Sequence, residues 1–363
     1  MRIATYNVEN LFSRIRAMAG ENEAANGEVL ADVAELQRLI SQPVYSDTDK
    51  ARMLHLLRKH RALGPAGPFF LQETRRRLVS TTGKIVASGR AAWVGWIEWR
   101  REVVGAAAIE NTGRIIREVN ADVWGLIEVE SRPVVRRFND TILKAAPYRH
   151  AMVIDGNDDR GIDVGLVSRW PIRNMRSRVD DPDPVTKRPI FSRDCAEFQV
   201  DVPGTRMLWV LVNHFKSRGY GRQQDNDAKR LRQAERVSEI LKRFNLARDW
   251  VIVAGDLNEL PRSASLAPLL SRAGLRNSFD KLPAGADRWT HRGDATPSKN
   301  DQIDYLLISD ALWPRLQQVG IERRGIWATT KKVREKYPPL PTVTGDTSSA
   351  SDHAAVWIDL DLS

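Results

Sequence analysis

The feature that most restricts what this chain can fold into is a repeated one: short apolar strands end in a carboxylate, an amide or an imidazole. Asn7 and Glu9 follow the strand that starts at Ile3, and Glu128 follows Asp122 to Ile127. His214 follows Leu208 to Val212, and Asp256 and Asn258 follow Trp250 to Ala254. Asp352-His353 precedes the last strand, Ala355 to Leu360. Such ends converge at a sheet edge. Burying that many polar groups there is costly unless they meet something charged, and a hard divalent cation with a phosphate would satisfy them. Taken singly, each has a structural explanation: Asn7 as a turn residue, Glu128 as a helix cap, Asp352 as an N-cap, His214 as a satisfied core histidine.

From Thr112 onward the pattern is that of a layered α/β protein. Ile115, Ile116 and Val119 mark a helix, and further strands are read at Gly165 to Val167 and Ile303 to Ile308. Leu231, Ala234, Val237, Ile240 and Leu241 give Asp227 to Phe244 the periodicity of an amphipathic helix. Lys331 to Ser351, rich in Pro, Thr and Ser, reads as a loop.

Residues Arg14 to Ala108 behave differently. Val29, Val33, Leu36 and Ile40 repeat at helical spacing, and Ser46 with Asp49 forms a capping-box pattern opening a second helix through Met53, Leu54 and Leu57. Gly64 to Pro68 breaks it, and Leu78 to Val86 with Ala91 to Trp99 is read as a hairpin around Thr82-Gly83. Trp93, Trp96 and Trp99 are read as one strand face, a core face first and a base-stacking face second. The expectation is one domain over residues 1–363 with residues 14–108 inserted after its first strand.

At 363 residues and 42% apolar composition the chain can bury a large core. Its formal charge of +10 makes a polyanionic partner reasonable. One cysteine, Cys195, excludes an intramolecular disulfide framework. The first residues read as a strand and not as a secretory signal, and no apolar run reaches transmembrane length, so a cytoplasmic protein without membrane contact is expected. No feature points to a protein partner.

Five segments occur in order: T-Y-N-V-E-N-L-F at Thr5 to Phe12, L-I-E-V-E at Leu126 to Glu130, G-D-L-N at Gly255 to Asn258, I-D-Y-L-L-I-S at Ile303 to Ser309 and S-D-H at Ser351 to His353. Together they resemble the motif series of the endonuclease/exonuclease/phosphatase (DNase I-like) superfamily. V-N-H-F-K-S-R-G at Val212 to Gly219 and R-G-I-D-V-G-L-V-S-R at Arg160 to Arg169 resemble a subgroup of bacterial metal-dependent nucleases.

The resemblance implies a four-layer α/β/β/α sandwich of two mainly antiparallel sheets flanked by helices, with a helical plus hairpin insertion after the first strand. It also implies a Mg²⁺- or Mn²⁺-dependent phosphodiesterase acting on nucleic acid, in the first place a DNA endonuclease of low sequence specificity. The alternative is a phosphomonoesterase, or a lipid or inositol phosphate phosphodiesterase, on the same scaffold. Asn7, Glu9, Glu128 and Asp352 are the implied metal ligands. Asp256 would orient or deprotonate water, with Asn258 holding it or donating to the phosphate. His353, oriented by Asp304, would donate to a phosphoryl oxygen. His214 is a second phosphate contact or general acid, and Lys216, Ser217, Arg218 and Arg160 would bind substrate. His55, His60, His150 and His291 fall outside the motifs and are read as surface or structural. Arg75-Arg76-Arg77 and the helix bearing Lys229, Arg230, Arg232 and Arg236 are either phosphate grips or solvated charge.

Overall fold

The structure is a computed structural model that describes residues 1–9, 11–18, 23–204, 206–218, 222–292, 302–328 and 330–362. Asn10 and Gly219, which belong to two of the motifs above, lie outside the described residues. In chain order the elements begin β1 (Arg2–Asn7), β2 (Ser13–Ile15), α1 (Glu23–Ile40), α2 (Asp47–Lys59), β3 (Phe69–Arg75), β4 (Val94–Trp99) and β5 (Arg101–Val103). They continue α3 (Ala106–Val119), β6 (Val123–Val129), α4 (Arg132–Thr141), β7 (His150–Ile154), β8 (Asp163–Ser168), β9 (Ile172–Arg176), β10 (Cys195–Asp201) and β11 (Met207–His214). The chain ends with α5 (Gln223–Ile240), β12 (Trp250–Asp256), α6 (Ala267–Leu270), β13 (Leu275–Asn277), β14 (Asp304–Ser309), β15 (Leu316–Glu322), α7 (Lys331–Lys336) and β16 (Ala355–Leu360). No described helix is long and apolar enough to cross a membrane.

The chain falls into two compact units. One comprises residues 1–12, 104–218 and 223–363, the other residues 13–103 and 219–222. The larger unit holds two six-stranded sheets, ordered β15-β16-β1-β6-β8-β7 and β13-β14-β12-β11-β10-β9. Each contains one parallel pair, β1 with β6 and β11 with β12, and is otherwise antiparallel. Ile3, Val123, Leu166, Phe198, Val210, Ile252 and Ile358 join residues of both sheets in one buried cluster, so the inner faces pack on each other. Trp124, Leu126 and Tyr6 pack with Ile115, Ile116 and Val119 of α3 and Phe138 of α4 on the outer face of the first sheet. Leu211, Val251, Val253 and Leu307 pack with Ala234, Val237 and Ile240 of α5 on the outer face of the second. The result is the four-layer α/β/β/α sandwich. Its strands carry apolar residues on both faces because both faces are covered.

The helix expected at Asp227 to Phe244 is α5, which starts earlier, at Gln223, and yields to a 3₁₀ turn at Leu241–Arg243. The loop expected over Lys331 to Ser351 contains α7, capped by Thr330, whose hydroxyl accepts from Val333 N.

In the smaller unit the Ser46–Asp49 capping box opens α2, and α1 and α2 pack beneath a hairpin. The hairpin is not the one expected. Phe69–Arg75 pairs with Val94–Trp99, while Val79 and Ile85 form only an isolated bridge around Thr82-Gly83. The strand at Phe69 went unread because it follows directly on the Gly-Pro break. The tryptophan stripe is also corrected. A spacing of three in a period-two strand puts Trp93 and Trp99 inward, at 2% and 6% exposure, and Trp96 outward, at 48%.

Candidate active site

Strand polarity explains why distant residues meet. β1 and β6 run parallel, so Asn7 and Glu128 lie at the same edge, and β11 and β12 bring His214 opposite Asp256. β14 and β16 run antiparallel to these pairs, so that edge receives their beginnings, Asp304 and the Ser351-Asp352-His353 turn. The same rule delivers the residues just before β8 and β10, among them Arg160 and Arg193.

The backbone bends sharply where these residues leave their strands. Glu9, Glu128 and Asn258 have φ of 48°, 61° and 53°, left-handed conformations that cost a side-chain-bearing residue about 1–2 kcal/mol. At Glu128 the pairing of β6 with β8 shifts register, a bulge that re-aims the side chain. Gly255 has φ of 130°, and a Cβ there would lie 2.0 Å from Asn213 O. Only glycine permits the close approach that sets Asp256 beside His214.

Around Asp256 the geometry is tight. Its Oδ2 lies 3.3 Å from Asn7 Nδ2 and 3.0 Å from Asn258 Nδ2, and its Oδ1 accepts from Asn258 N at 2.8 Å. His353 Nε2 is 3.4 Å from Asn7 Nδ2 and 3.8 Å from Asp256 Oδ2, and its Nδ1 is 2.9 Å from Asp304 Oδ2. His214 Nε2 lies 3.7 Å from both Glu128 Oε1 and Asp256 Oδ2. Glu9 accepts from Asp352 N at 3.1 Å, and its own N–H donates to Asn7 Oδ1 at 3.1 Å. Ser351 Oγ donates to Asn7 O and accepts from His353 N, tying the turn to β1.

Burial and opposing charges set the protonation states. Burial pushes the Asp256 carboxyl up to about 7, against the pull of His353. Burial would lower His353, but Asp304, Asp256 and Asp352 hold it well above the ordinary histidine range, as an imidazolium. Burial and the Asp352 charge raise Glu128, while His353 and His291 hold Asp352 well below the usual carboxylate range despite its burial. His214 is driven low by burial and by Arg193 and Arg160, so it is neutral. The same three causes bring Lys216 down to about 7.

Asn7, Glu9, Glu128, His214, Asp256, Asn258, Asp304, Asp352 and His353 thus form one cluster. Lys216 and Arg160 lie alongside, with the Arg160 guanidinium bound by both oxygens of Asp158. Ser217 offers its carbonyl to Lys216 Nζ, and the charge of Arg218 acts on the phenol of Tyr305. The α5 cations are engaged elsewhere: Lys229 with Ser192, Arg230 with Asp227 and Glu259, Arg232 with Asp183, Arg236 with Asp181.

Two residues at this edge escaped the sequence. His291 is not remote from it. Its Nε2 is 3.3 Å from Asp352 Oδ2, and its ring meets His353 edge-on at 4.6 Å. Arg193, 1% exposed, pairs with Asp158 at 3.1 Å and donates to Phe215 O, next to His214. The signal of Arg193 was the start of an antiparallel strand, visible only once strand directions are known, and His291 is brought in by an isolated antiparallel bridge to His353. Donor atoms of Asp256, Asp304 and His353, and of His291, Asp352 and His353, lie within 4.8 Å of one another, and in both groups the protonated His353 has no lone pair to offer a metal ion.

Among solved structures, a functionally unknown conserved protein from Enterococcus faecalis V583 is 14% identical, with TM-score 0.47, covering 70% of this chain and 91% of that one. D. rerio TDP2 complexed with single strand DNA product is 17% identical, TM-score 0.47, covering 69% and 92%. A mannosyl-6-phosphatase from Bacteroides thetaiotaomicron VPI-5482 is 16% identical, TM-score 0.46, covering 70% and 92%. No curated protein matches the chain. The sequence model of one family, described as the Endonuclease/Exonuclease/phosphatase family, matches residues 105–353, which contain Glu128, His214, Asp256, Asp304 and His353. With that match over more than half its length, the chain belongs to the Endonuclease/Exonuclease/phosphatase family, a family of phosphoester hydrolases.

Proposed function

We propose that this protein is a divalent-metal-dependent phosphodiesterase that hydrolyses nucleic-acid backbone, acting on DNA as an endonuclease of low sequence specificity. The observation that carries this reading is the buried chain Asp256–His353–Asp304 set beside the carboxylates of Glu128 and Asp352. A net charge of +10 favours a polyanion over a small neutral ester.

The donor set fits a hard cation. Glu128 and Asp352 repel each other across the site, and His214, 3.7 Å from Glu128, is neutral and brings it no counter-charge. Two carboxylates so placed, with the Asn7 carboxamide, are the oxygen ligands that Mg²⁺ or Mn²⁺ prefers. Glu9 has an oxygen on Asp352 N and positions that residue as well as adding charge. When bound, the cation supplies Lewis-acid stabilisation of the phosphoryl oxygens.

Asp256 takes the proton from the attacking water. Its raised affinity for protons suits a general base working near neutral pH, and the two Asn258 donors fix its orientation. His353, protonated and held by Asp304, donates to a phosphoryl oxygen on which charge develops. Neutral His214 donates one hydrogen bond to the phosphate, with Lys216 and Arg160 adding positive field nearby.

Supercoiled plasmid, single-stranded DNA, RNA and a chromogenic phosphomonoester, each with Mg²⁺, Mn²⁺ or EDTA, test the proposal. Metal-dependent nicking that is lost in His353→Ala, with little monoester turnover, is expected. Turnover of the monoester with nucleic acid untouched would establish a phosphatase instead.

A further inference from the structure

The smaller unit presents a sheet face that its own core does not use. Along Val94–Trp99 exposure alternates, with Gly95, Ile97 and Trp99 buried and Val94 and Trp96 facing solvent at 43% and 48% exposure. The register sets Gln72 opposite Trp96 and Phe70 opposite Glu98, so Phe70 and Trp96 lie on the same outer face. The Trp96 ring is held in place by its Nε1–H bond to Glu98, 2.7 Å. Arg100 stacks over Phe70 at 4.6 Å.

Positive charge lies at the end of this face. Arg75, Arg76 and Arg77 are exposed where β3 ends, Arg75 standing opposite Val94. None of the three has a carboxylate partner among the described residues, whereas Arg52, Arg58, Arg90 and Arg100 of the same unit all engage a protein acceptor. Beside the face is a cavity of about 640 Å³ lined by Phe70, Glu73, Arg77, Ser80, Thr82 and Arg100. An exposed indole beside a half-buried phenyl ring carrying a guanidinium plane, with further guanidinium groups that have no carboxylate partner among the described residues, is what an unstacked polynucleotide requires, since its bases stack on rings and guanidinium planes and its phosphates seek cations.

We infer that the outer face of the β3–β4 hairpin is a docking surface for an unpaired nucleic-acid strand. A base stacks on Trp96, the Arg100 guanidinium over Phe70 extends the platform, and phosphates lie against Arg75, Arg76 and Arg77. This rests on the nuclease reading and deepens it by naming single-stranded polynucleotide as what this unit holds. A duplex, its bases stacked on one another, has no use for the rings.

The test is fluorescence anisotropy of the full chain, in EDTA, with a labelled oligothymidylate of about 15 nucleotides. Trp96→Ala, a surface change, is expected to raise Kd roughly five- to hundredfold, while Trp96→Phe keeps it within about threefold. Replacing Arg75, Arg76 and Arg77 by alanine is expected to shrink the slope of log K against log salt by about 2. A Kd within about twofold of wild type in Trp96→Ala overturns the inference. So does displacement of the oligonucleotide by polyglutamate as readily as by unlabelled oligothymidylate, which would mark a surface for acidic protein segments. Metal-dependent plasmid nicking, measured on the same preparations, separates the two claims. Nicking with no effect of Trp96→Ala sinks the docking surface alone, and absence of both nicking and binding sinks the nuclease reading with it.

Discussion

Replacing Asp304 by asparagine isolates the part of the site that has least to do with folding. The two side chains have nearly the same size, and the backbone N–H of residue 304 keeps its bond to Thr290 Oγ1. What is lost is the charge facing His353 Nδ1 across 2.9 Å in a fully buried setting. A hydrogen bond to a charged partner contributes about 1.5–3 kcal/mol, and its loss corresponds to roughly a 10- to 150-fold fall in kcat/KM. A second effect has the same sign. Asp304 faces Asp256 in the strand register and raises it, so the substitution makes Asp256 a weaker base. Stability should change little, because the lost bond to His353 is offset by relief of the repulsion between two facing carboxylates. The assay is metal-dependent plasmid nicking beside a urea melt. An Asp304→Asn protein that folds as wild type and keeps most of its nicking rate would refute the assigned role of the Asp304–His353 pair.

Three further outcomes follow from other parts of the molecule. Glu128→Gln should raise the Mn²⁺ concentration needed for half-maximal activity about tenfold or more while leaving the metal-free protein at least as stable, since it removes repulsion with Asp352. A metal titration unchanged from wild type would argue against Glu128 as a ligand. Gly255→Ala should cost about 2–4 kcal/mol in a urea melt, its Cβ meeting Asn213 O at 2.0 Å; a loss below about 1 kcal/mol would show that β11 and β12 separate easily there. Burial, aided by Asp155 and Asp158, raises the Asp163 carboxyl from 3.8 to about 7, so the folded state favours its neutral form. Its contribution is therefore fully present below about pH 4 and is lost as the pH climbs through about 7, roughly 2–4 kcal/mol in all. Asp163→Asn, which keeps an acceptor for Gly156 N, should remove that decline when urea melts at pH 5 and pH 8 are compared, and an unchanged decline would contradict it.

What the sequence disclosed was the C-terminal end of each apolar strand. Asn7, Glu128, His214 and Asp256 each terminate a hydrophobic run, and hydrophobic runs are what local patterning shows. His353 showed in the same pattern by its place just before the last strand, whereas Asp304 opens its strand and was brought in by the motif order. Arg193 and His291 had neither cue, because strand direction is a property of the sheet and not of ten neighbouring residues. The hairpin of the smaller unit was misplaced for a related reason. Phe69–Arg75 abuts a Gly-Pro break, while Leu78 to Val86, richer in β-branched residues, makes only a turn with one bridge. Trp96 was assigned inward with Trp93 and Trp99, although a spacing of three cannot keep all three on one face of a strand.

The central claim is that Asn7, Glu128 and Asp352 share one hydrated cation beside Asp256 and His353. Anomalous scattering from Mn²⁺-soaked crystals measures this directly. The account predicts a peak within coordination distance of Glu128 and at least one of Asn7 and Asp352. Bound Mn²⁺ at another cluster, in crystals whose dissolved protein still nicks DNA, would contradict it.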